Sequence, residues 1–135
     1  MKYNGVIQRK LALLDSQVLK ISEHLVPISW KEFSDSWTYQ TMAERALQVS
    51  IETVIDVAER IIALEGAGPA ATGRESLDKL KALGIIRDPT PYQRMVGMRN
   101  IIVHEYAEVD PEVLYRAIQT HLRDFRMFRD EIDGA

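Results

Sequence analysis

The sequence predicts an all-α protein, an up-and-down bundle of four main helices plus a short extra helix. Apolar residues recur at alternating spacings of four and three along four long stretches, which is the pattern of amphipathic helices. Helix start and stop signals separate these stretches, and no stretch shows the alternation typical of a strand. With 135 residues the chain suffices for one hydrophobic core, so we expect a single domain over residues 1–135.

The composition argues against several classes of protein. The net charge of -3 argues against a protein that coats nucleic acid non-specifically, although a local cationic site is still allowed. The absence of cysteine excludes disulfides, thiolate zinc sites and cysteine nucleophiles. No apolar run is long enough for a membrane span, and the first fifteen residues lack a signal-peptide pattern. We therefore expect a cytoplasmic protein with no membrane contact.

Two long helices are expected in the first half of the chain. The first ends before Pro27. Its seam, the term used here for the apolar stripe along one side of a helix, consists of Ile7, Leu11, Leu14, Val18, Ile21 and Leu25. The second runs from about residue 38 to residue 65, and its seam consists of Leu47, Ile51, Val54, Ala58 and Ile61. The segment 27–36 between them is either a short helix or an ordered connection.

A Gly/Ala-rich loop, GAGPAATG, follows the second helix at Gly66. It lacks the Lys-Ser/Thr ending of a phosphate-binding P-loop and no strand precedes it, so we interpret it as a connector. Thr72 and Glu75 then form a capping-box pattern for a short helix that Gly84 closes. Asp110 and Pro111 start the last helix, whose seam consists of Leu114, Ile118, His121, Phe125 and Phe128.

The helix before it has an arginine in its apolar seam. Thr90, Pro91 and Gln93 predict its start as N-cap, N1 and N3 of a capping box. Its seam then consists of Tyr92, Met95, Val96, Arg99, Ile102, Val103 and Tyr106. A neighbouring face carries Gly97, Asn100 and His104 and should be polar and open.

Arg99 has two interpretations. It either forms a buried ion pair that fixes helix register or recognises an anion, since a guanidinium offers a planar fork of donors suited to phosphate. Asp56, flanked by apolar neighbours on the second helix, is either an ordinary exposed carboxylate or one drawn inward to a cation, with Arg99 as the obvious partner.

Arg99 and His104 together are suited to metal-free cleavage of a phosphodiester bond in RNA. His104 would take the 2′-hydroxyl proton or protonate the leaving oxygen, while Arg99 would stabilise the charge of the phosphorane-like transition state. This chemistry leaves a 2′,3′-cyclic phosphate. On an ideal helix, however, the two residues lie roughly 140° apart. Either the helix distorts near His104, or a homodimer pools both pairs in one cleft.

Other chemistries are poorly supported. His24, His104 and His121 lie on three different helices without a zincin arrangement, so we expect no metal site. No Gly-x-Ser-x-Gly elbow is present. We assign Trp30, Phe33, Trp37 and Tyr39 to core or dimer packing rather than base stacking. Arg123, Arg126 and Arg129 alternate with acidic residues, a pattern typical of a solvated, salt-bridged face.

The segment from Arg99 to Tyr106, RNIIVHEY, resembles the Arg-x4-His-x-Tyr signature of HEPN-domain toxins of the HepT family, including the Asn after the Arg. Chain length, helix order and the long second helix also resemble this family. The resemblance implies a homodimeric, metal-independent ribonuclease toxin without a cofactor. It also implies an MntA-like nucleotidyltransferase partner that neutralises the toxin by adding AMP to Tyr106. The alternative is a non-catalytic, dimeric helical module that docks such a partner.

Overall fold

The computed structural model describes residue 3, residues 5–104 and residues 109–135, except for the side chains of Val103 and His104. The described chain contains seven helices: α1 (Val6–His24), α2 (Trp30–Ser34), α3 (Trp37–Leu64), α4 (Gly73–Ala82), α5 (Thr90–His104), α6 (Pro111–Thr120) and α7 (Leu122–Asp133). None of the described residues forms a strand. The predicted all-α class is confirmed.

The longest helix, α3, is the centre of the bundle. It packs against α1, α4 and α5 most extensively, and also contacts α2, α6 and α7. All five predicted seam residues of α3 are buried, as are the six predicted for the first helix. Burial of these stripes against one another supplies the main stabilising term of the fold.

The ends of α3 and α4 follow from glycine in the left-handed region. At Gly66, φ is 65°, and at Gly84 it is 75°. After α4, the amide of Gly84 donates to the Lys81 carbonyl and that of Ile85 donates to the Leu80 carbonyl. These two hydrogen bonds form a Schellman motif, which satisfies carbonyls that the helix end leaves unpaired.

Two predicted helix starts are confirmed. The Thr72 hydroxyl accepts the amide N–H of Glu75 at 3.1 Å, and Asp110 accepts that of Glu112 at 2.9 Å. The connector before α4 is held by Lys79, whose ammonium group donates to three of its backbone carbonyls. None of the described helices is long and apolar enough to cross a membrane.

The predicted capping box of α5 is wrong. Asp88 accepts the Thr90 amide N–H at 3.0 Å, so the side chain that caps this end comes from two residues earlier. Gln93 does not reach back but donates to the Arg74 carbonyl at 3.0 Å and to Asp78 at 2.9 Å. The Gln93 side chain therefore ties α5 to α4 instead of closing its own helix.

The predicted last helix consists of two helices. The chain bends at His121, which ends α6 and precedes α7, and the seam residues on both sides of the bend are buried. The uncertain segment 27–36 contains the short helix α2, where Phe33 is fully buried. Four main helical stretches remain, with α2 and α4 as short additions.

Candidate active site

Helix α5 presents the predicted buried face and the predicted open face. Tyr92, Met95, Val96 and Ile102 are buried, whereas Asn100 is exposed. A Cβ added at Gly97 would meet nothing within 4 Å, so the backbone is open to a close approach at this position. The seam thus fixes α5 on the bundle and leaves one polar face uncovered.

Arg99 lies at the border of these two faces. Its side chain is 32% exposed, and its Nη1 donates to the side-chain oxygen of Asn100 at 3.1 Å. Its Nε is buried and has no hydrogen-bond partner among the described residues. The guanidinium group therefore keeps donor capacity for an anion, because the described residues accept from one of its five N–H bonds.

Among the described residues, Arg99 forms an ion pair with Glu52 of α3. Its Oε1 lies 3.9 Å from the Arg99 Nε, which is an ion pair but too long for a hydrogen bond. The same oxygen accepts from the Gln48 amide at 3.3 Å. The sequence did not predict this contact, although the four-residue spacing between Glu52 and Asp56 places both carboxylates on one stripe of α3.

Of the two interpretations of Asp56, the inward pairing with Arg99 is wrong, and the exposed carboxylate is the one that the structure supports. Asp56 forms ion pairs with Lys10 of α1 and with Arg60, whose Nε lies 3.5 Å away. Its side chain is 40% exposed, so it is not drawn into the core. The apolar residues next to Asp56 in sequence point about 100° to either side of it on the helix, and they therefore do not surround it.

The remaining site residues lie at the edge of the described chain. Helix α5 reaches His104, but the His104 side chain and Tyr106 lie outside the described residues. The separation of roughly 140° between Arg99 and His104 on an ideal helix therefore stays a prediction. Of the predicted catalytic group, the structure brings Arg99 and Asn100 together and adds Glu52.

The other histidines have separate environments. His24 is exposed at the end of α1, and the Nδ1 of His121 lies 3.1 Å from Asp124 at the bend between α6 and α7. Within the described residues, no three His, Asp or Glu side chains lie close enough together to hold a metal ion. Among the described residues, neither His24 nor His121 forms a hydrogen bond or ion pair with Arg99.

Tyr92 anchors the first turn of α5 to α7. Its ring is fully buried and packs edge-on against Phe128, with ring centroids 5.1 Å apart. Its hydroxyl donates to the Glu131 carboxylate, whose other oxygen accepts the Arg87 amide N–H at 2.8 Å. Burial raises the pKa of Tyr92 far above its usual range, and the Glu131 charge adds to this effect. The hydroxyl stays protonated and holds the helix that carries Arg99.

Comparisons with known proteins agree with this geometry. The model of the family described as ribonuclease HepT-like matches residues 14–132. The mRNA nuclease HepT of Shewanella oneidensis is 30% identical over 131 residues, which cover 96% of this chain and 97% of that protein. The tRNA nuclease HepT of Aphanizomenon flos-aquae is 26% identical, with 96% of this chain and 88% of that protein covered.

A solved structure extends the likeness to three dimensions. It is the tri-AMPylated Shewanella oneidensis HEPN toxin in complex with an MNT antitoxin, with 29% identity and a TM-score of 0.88. The alignment covers 98% of this chain and 100% of that one. Sequence, helix order and backbone geometry agree over nearly the whole length: the chain belongs to the HepT-like ribonuclease family of HEPN toxins.

Proposed function

We propose that this chain, acting as one HEPN-like domain over residues 1–135, is a cytoplasmic, metal-independent endoribonuclease toxin with Arg99 and His104 as catalytic residues. Membership of a ribonuclease family and the mRNA and tRNA nuclease relatives support the substrate class. The observation that carries the proposal is the half-buried guanidinium of Arg99, whose Nε has no hydrogen-bond partner among the described residues.

Arg99 would bind the scissile phosphate. Glu52 lies 3.9 Å from its Nε on one side, and Asn100 accepts from its Nη1 on the other. These contacts hold the guanidinium group in place and leave it N–H groups that can donate to a phosphate. A guanidinium fixed in this way can donate to two phosphate oxygens as charge develops on them. Asn100 supports this arrangement from the exposed face and can also contact the RNA.

His104 would move the protons. A neutral imidazole accepts the 2′-hydroxyl proton while that oxygen attacks the adjacent phosphorus, and an imidazolium protonates the leaving 5′ oxygen. The products are a 2′,3′-cyclic phosphate and a free 5′-hydroxyl. On a single ideal helix, His104 and Arg99 lie roughly 140° apart around the axis. We therefore infer a homodimer whose two α5 helices form one composite cleft.

A nucleotidyltransferase antitoxin would neutralise this activity at Tyr106. The Tyr106 hydroxyl attacks the α-phosphorus of ATP, an O–P bond forms, pyrophosphate leaves and the phenolic proton is released. The related Shewanella oneidensis toxin, which is tri-AMPylated in its complex with an MNT antitoxin, supports this type of modification. Added AMP, two residues after His104, would place negative charge and bulk where the RNA phosphate must enter.

The ribonuclease proposal is tested with purified protein and labelled RNA in EDTA. Wild type should cleave, whereas Arg99→Ala and His104→Ala should each lower kcat/KM by about two to four orders of magnitude. Arg60→Ala removes an exposed arginine of α3 and is the matched control, with activity close to wild type. Equal cleavage by all four proteins would contradict the proposal, and no cleavage by any would favour the docking-module alternative.

The modification proposal is tested by intact mass after incubation with the antitoxin and ATP. Wild type should gain the mass of one or more AMP groups and lose ribonuclease activity in parallel. Tyr106→Phe should gain none, while Tyr39→Phe, which changes a partly buried tyrosine of α3, should behave like wild type. Mass gain that persists in Tyr106→Phe would rule out this acceptor.

A further inference from the structure

An open groove of about 880 Å³ lies between the connection that precedes α5 and the exposed face of α7. Three exposed arginines line it: Arg87, Arg123 and Arg126. In the part of the chain that the structure describes, their guanidinium groups form no hydrogen bond or ion pair. The predicted salt-bridged face is therefore wrong for Arg123 and Arg126, while Arg129, on the next turn of α7, pairs with Asp15 at 3.1 Å and with Asp133 at 3.3 Å.

The carboxylates of the groove, in contrast, have protein partners. Both oxygens of Glu131 accept hydrogen bonds, from the Tyr92 hydroxyl and from the Arg87 amide. Asp88 accepts the Thr90 amide N–H, which lowers the pKa of that carboxyl. Asp130 lies 3.6 Å from Arg129. Fixed donors therefore engage Glu131 and Asp88, whereas Asp130 has only this long ion pair at an exposed position. The three lining arginines have no such partner among the described residues.

Cations also outnumber carboxylates around the groove. Lys81 and Arg94 lie close enough to Asp88 to lower its pKa further. With the three lining arginines they make five positive charges around four carboxylates, namely the three that line the groove and Asp124, whose charge acts on the pKa of Tyr92 beside Glu131. This surplus occurs in a chain with a net charge of -3. A local surplus of unpaired guanidinium groups on an acidic protein attracts polyanions, because each contact with a phosphate releases condensed counterions.

We propose that this groove, called here the arginine groove, binds backbone phosphates of the RNA that the active site cleaves; the inference rests on the proposed nuclease function. Its arginines come from both sides, from the connection before α5 and from α7, an arrangement that allows contacts with several phosphates of one chain. Pro91 lines the groove eight residues before Arg99, so roughly 12 Å of helix axis separates the two sites. One RNA strand can contact both.

The test measures RNA binding separately from cleavage. In a His104→Ala background, the affinity for labelled single-stranded RNA is determined by fluorescence anisotropy across a range of salt concentrations. Replacing all three lining arginines by glutamine should weaken binding by about tenfold or more at moderate salt. It should also reduce the slope of log K against log salt by about 2, since each lost contact with a single strand contributes roughly 0.7.

A charge-matched control separates the groove from net charge. Arg9→Gln, Arg60→Gln and Arg116→Gln together remove the same three charges from other exposed positions. This variant should keep the affinity within about twofold and the salt slope unchanged. An equal loss in the control, or no loss in the groove variant, would overturn the proposal. A groove variant that keeps RNA affinity but no longer copurifies with the antitoxin would also overturn it and identify a protein-docking surface.

Cleavage by the otherwise wild-type chain distinguishes this proposal from the proposed function. The groove variant should raise KM about tenfold with kcat little changed, as expected when binding is lost equally from ground and transition states. If wild type binds RNA through the groove but cleaves none, the nuclease proposal fails alone. If cleavage requires Arg99 but KM is unchanged in the groove variant, the groove proposal fails alone.

Discussion

Tyr92 is the residue through which α7 holds the start of α5. Its hydroxyl is the donor to one oxygen of Glu131, and the ring is completely buried. We predict that Tyr92→Phe lowers the free energy of unfolding by about 1.5–3 kcal/mol, the range for a hydrogen bond to a charged group. Urea unfolding at pH 7 measures this loss, and Tyr115→Phe, which removes a hydrogen bond to the neutral Ile28 carbonyl, should cost less.

The hydrogen bond between Tyr92 and Glu131 also predicts that the free energy of unfolding depends on pH. The pKa of Tyr92 in the folded state is raised above its ordinary value of 10.0, so its stabilising contribution is complete below pH 10. Above that pH the unfolded tyrosine ionises while the folded one does not, and wild type loses stability relative to Tyr92→Phe. The difference between the two proteins should therefore narrow above about pH 10. A constant difference up to pH 11 would contradict a buried, protonated hydroxyl.

Glu52 and Asp56 provide a matched pair one turn apart on α3. Glu52 contacts Arg99, whereas Asp56 contacts Lys10 and Arg60. We predict that Glu52→Gln lowers kcat for RNA cleavage by about tenfold, because the guanidinium loses its orienting charge. Asp56→Asn should leave kcat within about twofold of wild type. The opposite ranking in steady-state kinetics would show that the Glu52 contact does not position Arg99.

The finding that Glu52 rather than Asp56 contacts Arg99 shows what cannot be predicted from the sequence. Helical periodicity predicts the exposed position of Asn100, which the structure confirms. It places Arg99 within the apolar seam, whereas the structure has Arg99 at the border of that seam with a side chain that is 32% exposed. Which carboxylate of α3 meets Arg99 depends on the relative shift and rotation of two helices, since one turn amounts to about 5.4 Å. No pattern within either helix contains that information.

At the scale of the elements, the bend at His121 was not predictable from the seam. Phe125 follows Ile118 by seven residues as if the helix were continuous, and both are buried. His121 keeps φ and ψ of -90° and -9°, and its carbonyl accepts from the amides of Asp124 and Phe125. The chain therefore bends without leaving the right-handed region, and neither proline nor glycine marks the place.

Gly97 and Gly84 allow a comparison between an open helical face and a helix end. A Cβ at either position would meet nothing within 4 Å, but only Gly84 has a positive φ, of 75°. Gly84→Ala should lower the free energy of unfolding by about 1–2 kcal/mol, because alanine is strained in the left-handed region. Gly97→Ala should raise it by about 0.5–1 kcal/mol in the monomer, since alanine is the better helix former.

The two variants should differ again in assembly. If α5 helices of two subunits pack at their open faces, a methyl group at Gly97 keeps them apart and weakens the dimer. Sedimentation velocity should then show a shift toward monomer for Gly97→Ala and none for Gly84→Ala at equal folded fractions. An unchanged dimer with Gly97→Ala would place the subunit contact elsewhere on the bundle.

For the whole molecule, the bundle limits where the proposed second subunit could bind. Tyr92 and the other seam residues fasten α5 to the core, and on an ideal helix Arg99 and His104 are expected to lie roughly 140° apart. Asn100 and Gly97 leave its outer face uncovered. A second copy related by a two-fold axis can supply the missing half of the site without any change within the subunit.

Mixing two inactive variants tests this composite site. If each site combines Arg99 of one subunit with His104 of the other, an Arg99→Ala/His104→Ala heterodimer contains one fully mutated site and one intact site. Refolding equal amounts together makes half of all dimers mixed, so about a quarter of wild-type activity should return. If both residues of a site come from one chain, every site lacks one of them and the mixture stays inactive. Cleavage rates of the mixture against each variant alone therefore decide which subunit supplies His104 to Arg99.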